Sequence, residues 1–303
     1  MKKSSLLILL SSLALTSCGT SYEKVDITTS IFPHFDLIRQ IVKGSNLSYS
    51  MIVPPGVEVH TYRPTPKQTA QIQDSSLFFY TSDLIETWVT SMGPSKTKTI
   101  NVAEELFIED HGDDNDHQHD DHNHGVHYWT NPEIIIEEIQ LLSEQLSLTY
   151  TENAVLFNTN ALNYSEQILS VSNGFSNDLV SLEDPQVFFV GHNAMGDFAE
   201  HFGLKIVSLI DDIKPDADIT PLQLAKLVDA IVASNTNYLF VEELADPIFA
   251  RTIKDELRIK HNRTVEILEL HGYHNVTLED FKNEVTYLDL LKRNITNLKE
   301  ALF

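Results

Sequence analysis

This chain of 303 residues carries 13 histidines and a single cysteine, and its metal-competent residues fall into two groups. The first group is crowded. Residues 109 to 127 read EDHGDDNDHQHDDHNHGVH, a span that holds six of the histidines. His111, His117, His119, His122 and His124 can take a divalent cation in many partial combinations. Clustered acid, asparagine and glycine keep such a segment extended and out of any core, so each combination must order the chain as it binds. Low-affinity collection or sensing of metal is the expected property. The second group is sparse: His60 lies in PPGVEVHTYRPTP, His127 in GVHYWTNPE, His192 in GHNAMGDF, and Glu269 closes TVEILEL just before HGYHN. Three imidazoles and a carboxylate suit a borderline cation such as Zn2+, held at about 2.0–2.1 Å from nitrogen. The set needs neutral histidines and an ionised carboxylate, so binding should weaken below roughly pH 6. His271 and His274 stand close enough to Glu269 to compete for the fourth place.

A lone loop histidine ordinarily serves as a hydrogen-bonding residue. What sets these four apart is the elements expected to carry them. VDITTS, LSYSMIV, LFFYT and TINVA read as strands in the first half, and VFFV, KIVSLI, YLFVE and TVEILEL in the second. FDLIRQIVKG has helical spacing with Gly44 as its stop, and a further helix is expected near Asp83 to Ser91. Thr65-Pro66, Asn131-Pro132, Thr220-Pro221 and Asp246-Pro247 each look like a cap followed by proline at the first helical position. From Asn131 to Leu182 the pattern stays mostly helical with no proline after Pro132, across more than one helix, with Gly174 as the weak point. A helix after VFFV runs to Gly203, and a terminal helix from Leu278 to Ala301. Strands separated by helices of this length imply right-handed crossovers and parallel sheets. The expected fold is α/β, with two parallel-sheet domains joined by a long helical segment. The divisions are 18–150 with the His/Asp-rich loop at 109–126, a linking helix at 151–183, and 184–303. Ligands of open parallel sheets bind beyond the carboxyl ends of the strands. His60 and His127 from one domain, and His192 and Glu269 from the other, all fall there, so they can converge in the interdomain cleft. No internal repeat is visible in the sequence.

Composition narrows the setting. A net charge of -23 argues against nucleic acid and against direct binding to an anionic lipid surface. One cysteine excludes an internal disulfide and a thiolate cluster, so the fold rests on burial, for which the chain is long enough. MKKSSLLILLSSLALTSC has the charged start and short apolar run of an export signal, and its end resembles the lipobox of bacterial lipoproteins. That resemblance implies cleavage after residue 17 and lipidation of Cys18. The chain is then exported and lipid-anchored to the membrane, with no second apolar run long enough to span it.

Longer segments carry a family resemblance. GVEVHTYRPTP is similar to the G-x-x-P-H-x-Y-x-P-x-P segment of the zinc/manganese-binding receptors of bacterial ABC importers. VHYWTNP resembles the D-P-H-x-W-L-D-P segment of that family, which follows a His-rich loop in the zinc members. GHNAMGDFAEHFGL resembles its H-x-A-F-x-Y-F-x-x-x-Y-G-L segment, and FVEELADPIFARTIKDE and TYLDLLKRNITNLKEAL match its late helices. The resemblance covers essentially the whole mature chain. It implies two similar four-stranded domains joined by a long rigid helix with the metal between them, His60, His127 and His192 as ligands, and Glu269 at the position where the family often has aspartate. Val59 and Val126 replace the prolines before the first two histidines, and Thr130-Asn131 replaces Leu-Asp. Manganese members usually carry an acid where this chain has His192, so the resemblance implies Zn2+ rather than Mn2+. It also implies a monomeric receptor whose partner is an ABC permease.

Two other function classes compete with this reading. A secreted zinc hydrolase would need a general base beside an open metal position, and the chain has no H-E-x-x-H, G-x-S-x-G or phosphate loop. The chain is therefore expected not to be an enzyme. A metal buffer or adhesin-type lipoprotein fits the His-rich loop and is separated from a receptor by stoichiometry, many weak ions against one tight one. His34 in SIFPHFDL is expected at a helix start near the cleft, His201 in a helix and His261 in an exposed stretch. Trp88, Trp129 and Tyr62 are expected to serve packing.

Overall fold

Apolar runs of three to seven residues become strands, and the capped segments between them become helices. The structure is a computed structural model and describes residues 24–93, 95–107, 125–192, 194–210, 220–244 and 248–303; of residues 192, 209 and 210 it describes the backbone. In chain order the first half holds β1 (Ile27–Thr29), α1 (Phe32–Ile41), β2 (Tyr49–Met51), α2 (Pro66–Asp74), β3 (Leu77–Tyr80), β4 (Lys98–Asn101) and α3 (Val102–Leu106). Two long helices follow, α4 (Pro132–Thr149) and α5 (Ala154–Leu179). The second half holds β5 (Gln186–His192), α6 (Gly196–Phe202), β6 (Lys205–Ile210), α7 (Pro221–Ala233), β7 (Tyr238–Val241), α8 (Ile248–His261) and β8 (Glu266–Glu269). It ends with α9 (Leu278–Lys282) and α10 (Tyr287–Leu302).

Both sheets are parallel and four-stranded, in the orders β2-β1-β3-β4 and β6-β5-β7-β8. The two orders are the same topology used twice. The repeat is invisible in the sequence because a buried parallel strand demands only a short apolar run, such as LFFY or VFFV, and not particular residues. Each sheet reverses strand order beside its first strand, which opens the switch-point crevice where α/β ligands bind. Thr65 and Thr220 form capping boxes with Gln68 and Gln223, each with proline at the helix start, as the sequence predicts. Asp246 and Pro247 lie outside the described residues, as do Cys18 and the export signal.

α5 runs for 26 residues, about 39 Å at 1.5 Å per residue, and spans from one sheet to the other. Its buried face is Phe157, Ala161, Tyr164, Ile168, Ser172, Phe175 and Leu179, the three- and four-residue spacing of one helical stripe. This stripe joins Leu77 and Phe79 of the first sheet to Val187 and Phe189 of the second in one continuous apolar core. Among the described residues no helix is long and apolar enough to cross a membrane.

Three elements differ from the sequence expectation. Between Asp83 and Ser91 there are turns and a single 3-10 turn at Val89–Ser91. The Glu86 carboxylate folds back to accept from the Thr81 and Ser82 backbone N–H groups, which ties this segment to the strand end. The helical break falls at Thr151–Asn153 and not at Gly174. Glycine costs about 1 kcal/mol in a helix, and burial of Phe175 and Leu179 just beyond it outweighs that. The terminal helix is split, because Glu284 takes a left-handed φ of 54° and Thr286 with Asp289 starts a new capping box. Asp36, fully buried in α1, fixes that restart by accepting from Tyr287 N at 2.6 Å and from Tyr164 OH at 2.9 Å.

Candidate metal centre

The segments leaving the carboxyl ends of β2, β4 and β8 meet in the crevice between the two sheets. His60 sits two residues after Glu58, whose carboxylate accepts from His60 N at 2.9 Å and pairs with Nδ1 at 2.6 Å. Burial works against ionising Glu58, yet the hydrogen bonds from the His60 side chain and backbone outweigh it and hold its carboxyl at about 2. An ionised carboxylate only accepts, so Nδ1 carries the proton, and in the neutral ring Nε2 is the bare nitrogen. That Nε2 lies 3.1 Å from Nε2 of His127. Two donors at about 2.0–2.1 Å on a tetrahedral ion stand roughly 3.4 Å apart, so the pair is close to metal-ligand spacing. His127 is 3 % exposed and its ring stands edge-on to Trp129 at 5.1 Å.

The third imidazole is His274. Its ring lies 5.9 Å from that of His60, edge-on at 70°. The loop 271–276 comes from the second half of the chain and is bonded there to Glu243 and Asn294, yet several of its hydrogen bonds run to the first half. Asn275 Nδ2 donates to the carbonyls of Pro54 and Val57, Gly56 N donates to Val276 O, and Trp129 Nε1 donates to Gly272 O at 2.9 Å. Tyr273, at φ 66°, reverses the chain here. A left-handed aromatic residue is strained by about 1–3 kcal/mol and persists only when its surroundings over-determine it. They do so here: Tyr273 stacks on Tyr287 at 4.6 Å, and its hydroxyl accepts from Asn294 Nδ2. Asn294 also accepts from His271 N and donates to His271 O, a peptide-like pair inside the core. Asn294→Ala is therefore expected to cost about 2–3 kcal/mol, since two buried polar groups of His271 lose their partners. Urea denaturation of the metal-free protein measures this.

The remaining predicted residues fall in different places. His192 is the last residue of β5, paired with Ile210 after a register shift that begins at Phe189. Its neighbour Gly191 has no room for a side chain: a Cβ there would stand 2.6 Å from the Phe189 ring and 3.0 Å from Glu242 Oε2. Glu242 Oε1 is 4.0 Å from His274 Nε2, so the His192 end of β5 and the His274 loop share Glu242 as a neighbour. Glu269 is not brought to this cluster. Its carboxylate lies 3.7 Å from Arg293, and its carbonyl accepts from Asn297 on α10. His271 is buried beside the cluster, but its Nδ1 accepts from Tyr273 N at 2.9 Å. His111, His117, His119, His122 and His124 lie outside the described residues. Among the described residues, no three His, Cys, Asp or Glu side chains already stand in a metal-holding arrangement.

Four participants escaped the sequence reading. Glu58 is one, and the acid two residues before a candidate histidine was its signal. Glu242 and Glu243 directly follow β7, so the strand-end rule that selects His192 selects them as well. Glu243 is buried beneath the cluster, with Oε1 3.3 Å from His274 Nδ1 and Oε2 accepting from Gly272 N at 2.7 Å. Burial raises its carboxyl above the usual carboxylate range. Asn294, in the middle of α10, had no local signal. The other histidines keep structural roles. His34 pairs with Glu138 and Thr81 under the site, His201 pairs with Ser172, and His261 is exposed.

Comparison with known proteins gives a consistent result. The profile of the family described as ZnuA, zinc-uptake complex component A, periplasmic, matches residues 27–301. The zinc-binding lipoprotein AdcA of Streptococcus pneumoniae is 28% identical over 315 residues, covering 99% of this chain; the chain spans only 61% of that relative's length. The high-affinity zinc uptake system protein ZnuA of Bacillus subtilis is 27% identical over 298 residues, covering 94% of this chain and 90% of that protein. The crystal structure of the Zn(II)-bound ZnuA-like domain of S. pneumoniae AdcA superposes with a TM-score of 0.72 at 25% identity. That match covers 92% of this chain and 99% of the domain.

Proposed function

This chain belongs to the ZnuA family of zinc-uptake component A proteins, and from that premise we propose that it is an extracytoplasmic receptor that binds Zn2+ tightly and delivers it to an ABC-type import permease. The observation that carries this reading is the pair of Nε2 atoms of His60 and His127, 3.1 Å apart in the crevice between the two sheets. His60 and His127 take two positions on the ion, His192 the third from the end of β5, and His274 the fourth in place of Glu269. An imidazole-rich set favours Zn2+ over Mn2+. Glu58 stands behind the ring of His60, where a carboxylate fixes the tautomer and raises the basicity of the ligating nitrogen, and Glu243 lies beside the ring of His274. The ion arrives at Nε2 of the two paired rings, is enclosed as the β5 end brings His192 to it, and leaves when that side opens at the permease. A lipid on Cys18 holds the monomeric receptor at the membrane, and no reaction is assigned to it.

The test is a competitive Zn2+ titration of the mature protein beside a variant lacking residues 110–122. One tight site plus several weak ones is expected for the full chain, with only the weak ones lost in the deletion. The tight affinity should fall as pH drops through about 6.5, where ordinary imidazoles gain a proton. It should not follow Glu58, whose carboxyl stays ionised down to about 2. Weak, multiple binding that disappears with the loop would make the chain a metal buffer and end the receptor reading.

A further inference from the structure

We infer that Asp197 is a positioning residue for zinc retention: it clasps the segment carrying His192 to the segment carrying His127. The inference rests on the receptor reading above. Its basis is a contact across the cleft. Gly125 N donates to Asp197 Oδ1 at 3.1 Å, between residues 72 apart in the chain. Gly125 precedes His127 by two residues, and Asp197 follows His192 by five, in the first turn of α6. The Asp197 side chain is buried at 6 % exposure. The fit is tight: a Cβ on Gly125 would lie 2.5 Å from Asp197 Oδ2 and 3.4 Å from its Cγ. Only glycine leaves room for the carboxylate to reach the backbone there. α6 also packs on the turn Tyr128–Thr130 that follows His127.

The clasp matters because the rest of the site is held unevenly. His60, His127 and His274 stand on one hydrogen-bonded frame, since the 271–276 loop is tied to the first half through Asn275, Val276 and Gly272. His192 comes instead from β5 of the second sheet. A bond that ties its segment to that frame bears on how long a fourth imidazole stays with the ion. A buried carboxylate accepting a backbone N–H is a charge-assisted bond, stronger than a neutral one. It holds the two segments together without touching the ion, so it should act on release more than on capture.

Zinc release into excess chelator, followed by stopped flow, tests this with Asp197→Ala, Asp197→Asn, Gly125→Ala, His192→Ala and the double variant His192→Ala/Asp197→Ala. Asp197→Ala and Gly125→Ala should each release zinc about tenfold faster than wild type, while Asp197→Asn, which keeps an accepting oxygen, stays within about threefold. In the His192→Ala background, Asp197→Ala should add less than about twofold, because the clasp acts through His192. Unchanged release in both Asp197→Ala and Gly125→Ala would overturn the clasp. Equal acceleration with and without His192 would overturn it too, by showing a general loosening of the fold. A wild-type protein with no tight site would instead sink the receptor reading, and the clasp with it.

Discussion

His274→Ala is expected to lower zinc affinity by about a hundredfold or more, whereas Glu269→Ala should leave it within about threefold. The contrast follows from where the two side chains stand. Removing a group that merely supports a ligand commonly costs about 10–100-fold in metal affinity, so losing a ligand outright sets a floor near the top of that range. His274 is 3 % exposed, edge-on to His60, with Glu242 and Glu243 beside its two ring nitrogens. Glu269 is engaged elsewhere: Arg293 lies beside its carboxylate, and Arg293 in turn donates to Asp280. To serve as a ligand Glu269 would have to leave that pair. Competition against a chromophoric chelator at fixed pH reads both variants. The loop itself should survive His274→Ala, because what packs it is backbone: His274 O accepts from Phe32 N, and Asn275 and Gly272 hold its flanks. Equal losses in the two variants would return the fourth position to Glu269.

The choice between Glu269 and His274, five residues apart, marks where the sequence stops being legible. All eight strands could be placed, because each lies in a short run rich in apolar or β-branched residues between helical segments, and strand ends directed attention to His60, His127 and His192. The loop after β8 could not be traced. HGYHN offers glycine at 272 as the obvious reversal point, yet the residue with the left-handed φ is Tyr273. Its strain is overcome by Asn294 and by stacking on Tyr287, partners 21 and 14 positions on in the sequence. Long-range partners of this kind leave no local pattern. The same holds for the split at Glu284, which depends on Asp36 reaching Tyr287 across 251 residues. Gly174 misled in the opposite direction: a local penalty was visible, and the tertiary burial that overrides it was not.

Beneath the site lies a buried polar layer whose disruption should give the largest loss of stability: His34→Leu or Glu138→Leu alone is expected to cost about 3–5 kcal/mol. His34 and Glu138 are both fully buried, with Nδ1 and Oε1 2.5 Å apart. Thr81 commits its hydroxyl hydrogen to Glu86, so His34 Nε2 must donate to Thr81 Oγ1, 3.0 Å away. One proton then remains between Nδ1 and Oε1, and neither group can be removed without leaving the other unmatched. Glu138 stands on the α4 face that also buries Ile134, Ile135, Ile139 and Leu142, and its Oε2 has no hydrogen-bond partner among the described residues. In the single variant His34→Leu that carboxylate would sit in an apolar core with nothing to donate to Oε1, which is the costly case. The double variant His34→Leu/Glu138→Leu should therefore lose far less than the sum of the two, because apolar replacement of both partners removes the desolvation cost along with the pair. Urea unfolding of the metal-free proteins supplies the cycle. Additive losses would mean that each side chain acts through packing alone. A strong coupling would mean that the layer exchanges stability for a fixed geometry, holding α1, α4 and the end of β3 in register under His127 and His274, the surface on which the imidazoles are aimed.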